Sequence, residues 1–407
     1  MPGTLPAGRP VPVDGALPET ALAQAGARGF GVYVHVPFCA SRCGYCDFNT
    51  YTAGELGGGV SREGYADQVL AELALAGRVL GGRPPARVDT VFVGGGTPTL
   101  LPPDDLARIL DGIDRLWGLA GDVEVTTEAN PESVTPESLK ELRAAGYNRI
   151  SLGMQSAAPG VLAILDRRHS AGRATAAARE ARDVGFDHVN LDLIYGTPGE
   201  SAEDFAASLD AAISAGVDHV SAYALIVEEG TRLAVRMRRG ELPYPDDDVA
   251  ADRYLAAEAA LSGAGFSWYE VSNWARTPAA RCRHNLLYWT GGDWWGLGPG
   301  AHSHVGGVRW WNVKHPSAYA ARLGAGESPG QGRELLSAAD RRVEDVMLRL
   351  RLASGLPLAV LDDAGRSGAA EARDAGLLDG AEYDVGRAVL TLRGRLLADA
   401  VVRDLLP

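Results

Sequence analysis

Cysteine is scarce, with four residues in 407. So few exclude a fold held together by disulfides and suit a reducing compartment, where clustered thiols bind metal or carry redox chemistry. Basic residues fall short of acidic ones, 39 against 52, leaving a formal net charge of −13. Such a field repels polyanions, so nucleic acid is not an expected partner. No apolar run approaches the roughly 20 residues of a membrane span. Residues 1–28 carry only Arg9 and Arg28 as basic groups and no compact apolar block. They lack the form of an export signal and are expected to be a flexible N-terminal tail. Internal repeats are missing as well. The chain is long enough for a large core, as two or three domains or one barrel with additions, and is compatible with a monomer or a dimer.

What the sequence does have, from residue 29, is an alternation of short β-branched runs with longer segments of helical period, the pattern of parallel β/α construction. Six strands are expected at 32–36, 88–94, 122–129, 149–154, 188–196 and 219–225, with amphipathic helices at 62–80, 103–117, 135–145, 171–185 and 201–215. Thr135 and Ser201 are candidate caps. The fold class is α/β, a partial (β/α)6 barrel over 29–230. After residue 230 the rhythm breaks. Residues 231–323 form an extension that includes an aromatic- and glycine-rich block, 266–312, holding seven of the eight tryptophans. A Gly/Ser/Pro linker at 324–333 leads to a small helical or winged C-terminal domain, 334–407, with a helix at 341–352, a strand at 388–392 and a final helix at 394–405.

Three of the four cysteines, Cys39, Cys43 and Cys46, stand within eight residues just after the first strand. A structural zinc site asks for four protein ligands, and neither the nearby His35 nor a second cysteine pair of zinc-type spacing completes one. A [4Fe–4S] cluster takes one ligand per iron, so three thiolates leave one iron open to something other than protein. The distinctive polar and Gly-rich residues cluster at later strand ends: Gly94, Gly95, Gly96, Thr97 and Pro98 after the second, Glu128 after the third, Gln155 after the fourth and Asp192 in the fifth. Glycines leave backbone N–H and C=O open to a ligand, carboxylates suit hydroxyls, and in β/α barrels all these ends open on one face. Single polar residues there would otherwise serve as caps or surface groups.

The spacing Cys39-x3-Cys43-x2-Cys46, with Tyr45 ahead of the third cysteine, resembles the radical S-adenosylmethionine (SAM) superfamily. That resemblance implies a [4Fe–4S] cluster on these three cysteines and SAM on its open iron. Tyr33, Gly95, Gly96, Thr97, Glu128, Gln155, Arg167 and Asp192 would contact SAM, with Arg167 available for its carboxylate and Arg168 as the neighbouring alternative. Segments such as "YVHVPFCASRCGYCDF", "GGGTPT", "TTEANPE", "NLDLIYGTPG", "HNLLYW" and "GLGPGAHS" resemble the oxygen-independent coproporphyrinogen oxidase group, and within it the HemW-type heme chaperones. The oxidase pattern continues with a further cysteine where HemW-type chains, like this one at Phe48, carry phenylalanine.

"HNLLYW", His284, Asn285, Tyr288 and Trp289 among its residues, resembles the heme-binding HNxxYW motif of that branch. Histidine can ligate heme iron and the aromatic rings offer flat surfaces, while a His-Asn pair in an aromatic block can equally satisfy buried backbone. Cys282 is a further candidate ligand or a buried thiol, and His302 and His304 are loop candidates for axial ligation. Most of Trp294, Trp295, Trp310 and Trp311 are expected to pack. The implied function is to bind heme and hand it to acceptor hemoproteins, in the cytoplasm or peripherally at the membrane. The rival is the oxidase itself, in which cleaved SAM starts radical decarboxylation of coproporphyrinogen. No side-chain dyad demands another chemistry.

Overall fold

The computed structural model describes residues 8–56, 62–81, 87–168, 170 and 172–406. Six strands lie side by side in chain order and all parallel: β1 (Phe30–Val36), β2 (Val88–Gly95), β3 (Leu119–Ala129), β4 (Arg149–Gln155), β5 (His188–Tyr195) and β6 (His219–Ala224). One face of each strand is apolar. Val32, Val34, Val91, Val93, Val125, Ile150, Leu152, Val189, Leu191 and Val220 are buried under the helices Tyr65–Val79, Pro103–Trp117, Pro136–Ala144, Arg173–Asp183 and Ala202–Ser214. Each such side chain contributes about 1.5–3 kcal/mol on leaving water. The alternate face carries Tyr33, Thr90, Glu124, Glu128, Arg149, Ser151, Asn190, Asp192, His219 and Ser221, so the concave interior of the wall is polar. Thr135 and Ser201 cap their helices through reciprocal boxes with Ser138 and Asp204.

Further strands extend this wall on both sides. Antiparallel β7 (Ser267–Glu270) and β8 (Asn273–Ala275) continue it beyond β6. On the other side β9 (Asp293–Leu297) pairs parallel with β1, followed by antiparallel β10 (His302–Val305), β11 (Val308–Asn312) and β12 (Gly330–Leu335). The result is one open sheet of twelve strands, ordered β12-β11-β10-β9-β1-β2-β3-β4-β5-β6-β8-β7. Trp295, Trp310 and Trp311 pack in this added wall. His302 and His304 lie on β10 rather than in a loop, because each faces a residue of β11.

Residues 8–28, expected to be a flexible tail, are held instead. Arg9 exchanges backbone hydrogen bonds with Arg333 at 2.8 Å each way, and Ala21 is buried in the main core; residues 1–7 lie outside the described residues. The stretch 324–333 also differs from a linker. Its second half forms β12 on the edge of β11, since glycine at 332 fits against the flat ring of Trp311 and glycine at 330 against Val11.

The C-terminal segment has its own core, with Val346, Leu350, Leu356, Ala369, Leu378, Val401 and Leu405 among its members. The expected strand at 388–392 is reduced to Arg387–Ala388, paired with Leu356–Pro357, and the last helix divides into Leu392–Leu396 and Ala398–Leu405. Arg395 docks this unit by lying 3.9 Å over the Trp268 ring and pairing with Glu258 at 2.9 Å. Among the described residues, no helix is long and apolar enough to cross a membrane.

Candidate functional site

Because the six strands are parallel, the segments that follow them gather at one mouth. The cysteine loop is fixed there by its backbone. Cys39 N–H donates to Tyr51 O at 3.0 Å, Gly44 N–H to Leu165 O at 2.9 Å, and Leu233 N–H to Gly44 O at 2.8 Å. All three thiols are free and partly buried. Burial pushes the Cys39 thiol up and that of Cys46 up to about 11, so metal binding must displace their protons. Among the described residues no three His, Cys, Asp or Glu side chains converge on a point where one metal ion would sit. A four-iron cluster does not ask for that, since each thiolate takes a different iron. Phe48, beside the third cysteine, is 60% exposed and offers no ligand atom.

The Gly-rich turn lies against this loop. Gly96 N–H donates to Val36 O at 2.8 Å and Thr97 N–H to Phe38 O at 2.7 Å. A Cβ on Gly96 would stand 2.4 Å from Phe38 O, and Gly95 has φ +113°, so only glycine fits both the approach and the turn. Gly95 N–H donates to Glu128 Oε2 at 2.8 Å, and burial raises that carboxyl to about 7. At the end of β4 a register shift falls between Gly153 and Gln155, and Gln155 takes φ +68°. A bulge with a left-handed non-glycine residue is costly and recurs at functional sites, where it re-aims a side chain.

Arg167 reaches into the same mouth. Its Nη1 donates to Cys43 Sγ at 3.5 Å and its Nη2 to Gly153 O at 2.9 Å, while Nε is buried without a partner among the described residues. A guanidinium held this way, with an orphaned donor, fits an incoming carboxylate. Asp192 accepts from Ser151 Oγ at 2.8 Å and from Asn190 Nδ2 at 2.7 Å. Burial raises its carboxyl, and these bonds and the nearby Arg167 draw it back. Tyr33 bonds His35 Nδ1 at 2.9 Å. The donor set at this mouth, three thiols, a glycine cradle, an arginine with a spare N–H and two carboxylates, therefore fits a [4Fe–4S] cluster with SAM.

The HNxxYW segment lies at the opposite end. It forms the helix Arg283–Trp289, whose first turn is capped from a distance: Glu124, four residues before Glu128 on β3 and so about 13 Å below it at strand rise, accepts from Arg283 N and His284 N at 3.0 Å each. The same carboxylate receives Cys282 Sγ at 3.6 Å and faces the buried Arg149 at 3.8 Å. Gly31 on β1 lets the helix approach, since a Cβ there would meet Leu287 at 2.6 Å and Thr90 at 2.7 Å.

His284 points into the barrel. It is 1% exposed, with Nδ1 on Thr90 Oγ1 at 2.8 Å, Nε2 on Tyr288 OH at 2.7 Å and its ring stacked on Phe92. Burial lowers its pKa to about 3, so the ring is neutral. Both nitrogens are engaged, which differs from a histidine displayed for a ligand. Asn285 and Trp289 are half-buried, with Asn285 Nδ2 3.5 Å from Glu270 Oε1. Cys282 is buried at this end, away from the cysteine loop. His304 is held by Gly292 O at 3.0 Å and Asp293 at 3.2 Å, and Trp294 bridges it to Tyr288. Sequence reasoning missed Glu124, Arg149, Asn190, His219 and Tyr269.

Comparison with known proteins places this geometry. Residues 33–212 match the model of the radical SAM superfamily. Over 385 residues, 95% of this chain and 97% of the relative, the sequence is 60% identical to the heme chaperone HemW of Mycobacterium tuberculosis. The chain belongs to the HemW family. The Escherichia coli member is 36% identical over 336 residues, covering 80% of this chain and 83% of that one. Radical S-adenosyl methionine domain-containing protein 1, mitochondrial, of Mus musculus is 39% identical over 70% of this chain and 62% of its own length. Among solved structures, coproporphyrinogen III oxidase (HemN) of Escherichia coli superposes with a TM-score of 0.80 over 95% of this chain and 92% of that one, at 24% identity. That likeness establishes the shared fold; the HemW family membership rests on the sequence identities.

Proposed function

We propose that this chain is a cytoplasmic heme chaperone that binds heme and passes it to acceptor hemoproteins. The observation that carries the reading is the 60% identity, nearly end to end, with a relative bearing that name. In this reading Cys39, Cys43 and Cys46 hold a [4Fe–4S] cluster, and Tyr33, Gly95, Gly96, Thr97, Glu128, Gln155, Arg167 and Asp192 hold SAM. The cluster supplies an open iron for the amino and carboxylate groups of SAM. Arg167 would offer that carboxylate its spare Nε–H, and Asp192 and Glu128 would accept from hydroxyls. Phe48 supports the chaperone branch over the oxidase. On the cluster-reconstituted protein under anaerobic conditions, saturable heme binding without conversion of coproporphyrinogen is expected. Robust decarboxylation with SAM and a reductant would overturn the assignment.

The heme contacts are read onto His284, Asn285, Tyr288 and Trp289, with Cys282 beside them. For His284 to ligate iron through Nε2, Tyr288 must release it, as Thr90 must for Nδ1. His284→Ala is therefore expected to weaken heme binding about tenfold or more, roughly 1.4 kcal/mol, with the cluster intact. Tyr288→Phe removes the competitor and is expected to bind heme at least as well as the parent. Equal losses in both variants, read by heme titration, would mean that the pair holds the helix and that the iron ligand lies elsewhere.

A further inference from the structure

We propose that His219 is a positioning residue for the SAM site, fixing the amide of Asn190 so that the Asp192 carboxylate is presented as an acceptor at the mouth of the barrel. The inference rests on the reading of Asp192 as a SAM contact. Its basis is a continuous chain of hydrogen bonds through the polar interior. Cys282 N–H lies 3.1 Å from Tyr269 OH, Tyr269 OH lies 2.8 Å from His219 Nε2, and His219 Nδ1 lies 2.7 Å from Asn190 Oδ1. Asn190 Nδ2 in turn lies 2.7 Å from both Asp192 Oδ1 and Ser151 Oγ.

The donor inventory gives this chain one direction. A carboxylate can only accept, so the Asn190 NH2 faces Asp192 and its Oδ1 faces His219 Nδ1, which must donate; Nε2 then accepts from Tyr269 OH, whose oxygen takes the Cys282 N–H. A nitrogen that accepts cannot carry the proton, so His219 is the Nδ1–H tautomer and donates to Asn190 Oδ1. That leaves the two amide hydrogens of Asn190 for Asp192 Oδ1 and for the hydroxyls of Ser151 at 2.7 Å and Ser221 at 3.0 Å, and Ser151 passes its own hydrogen to Asp192 Oδ2 at 2.8 Å. With the amide reversed, Asn190 oxygen would face the carboxylate and its NH2 would face a ring N–H. The carboxylate sets which way Asn190 points, and the imidazole N–H on Oδ1 holds it there. The links from Cys282 to Asn190 and Ser151 are buried and those to Asp192 part-buried, and away from water donors in series strengthen one another and an unmatched one is costly.

The site lies within the heme-chaperone reading but is tested apart from heme. Histidine-selective ¹⁵N NMR of the full-length protein at neutral pH is expected to report the Nδ1–H tautomer for His219; the Nε2–H tautomer would overturn the proposal without any substitution. In cluster-reconstituted protein, His219→Leu is expected to weaken SAM binding about tenfold, while His219→Gln, which keeps one donor and one acceptor, recovers most of it. Iron content should be unchanged in both. Equal SAM affinity in the parent and His219→Leu would overturn this proposal alone. Failure of the parent to bind SAM would instead remove the reading of the whole mouth.

Discussion

Replacing Cys39, Cys43 and Cys46 together by alanine is expected to abolish iron–sulfur absorbance and to bring iron and sulfide per chain to background after anaerobic reconstitution. In the proposed assignment the effect is all-or-none because each thiolate would take one iron, and the fourth cysteine, Cys282, is buried against Glu124 at the other end. The variant should still fold. The loop is held by backbone hydrogen bonds from Cys39 N, Gly44 N and Leu233 N, none of which involves sulfur, and small side chains at three half-buried positions leave that framework in place. SAM binding should disappear with the cluster, since its open iron is the principal attachment, while the far-ultraviolet dichroism stays that of the parent. Full iron and sulfide in the triple variant would move the ligands elsewhere, a result that the burial of Cys282 against Glu124 makes hard to accommodate.

Glu124→Ala is expected to be the most damaging single change for stability. Arg149 is 2% exposed, and Glu124, itself 5% exposed, is the acidic group facing it. Breaking a buried pair by removing one partner costs about 3–5 kcal/mol, because the other charge remains in a dry place. The same substitution strips two N–H groups at the start of the helix Arg283–Trp289 of their acceptor, and an unmatched buried donor costs about 1–3 kcal/mol. Glu124→Gln keeps an acceptor for the helix and should lose clearly less. Denaturant unfolding of the three proteins checks the order; a midpoint for Glu124→Ala equal to that of the parent would mean that Arg149 finds another counter-charge on relaxation.

The difference between the two ends of the barrel explains what the sequence could reveal. At the carboxyl mouth the chemistry is local. Three cysteines in one loop, three glycines in one turn and single polar residues at strand ends stand out against apolar neighbours, and the β-branched runs between them place all six strands to within three residues. At the other end the partners are far apart along the chain. Glu124 meets Arg283 and His284 at separations of 159 and 160 residues, which no local pattern announces. One signal was available: Glu124, Thr126 and Glu128, then Asn190 and Asp192, then His219 and Ser221 recur at a spacing of two. Alternation by itself does not say what the polar face meets; six such strands side by side enclose a polar interior. The aromatic block was opaque for a related reason. Its short strands carry few β-branched residues, and they are strands because β1, β6 and β11 offer edges to pair with.

Those edges have one more consequence. A sheet that does not close ends in two margins of unpaired N–H and C=O groups, which another copy of the chain can use as a template. Here each margin meets a guard: Arg9, near the N-terminus, pairs with Arg333 on β12, and Leu352, within the C-terminal unit, pairs with Glu270 on β7. The first of these guards is the segment that composition marks as dispensable. A chain trimmed to begin at the first strand would keep every cofactor contact described above and uncover the flank of β12, trading a covered margin for one prone to edge-to-edge aggregation.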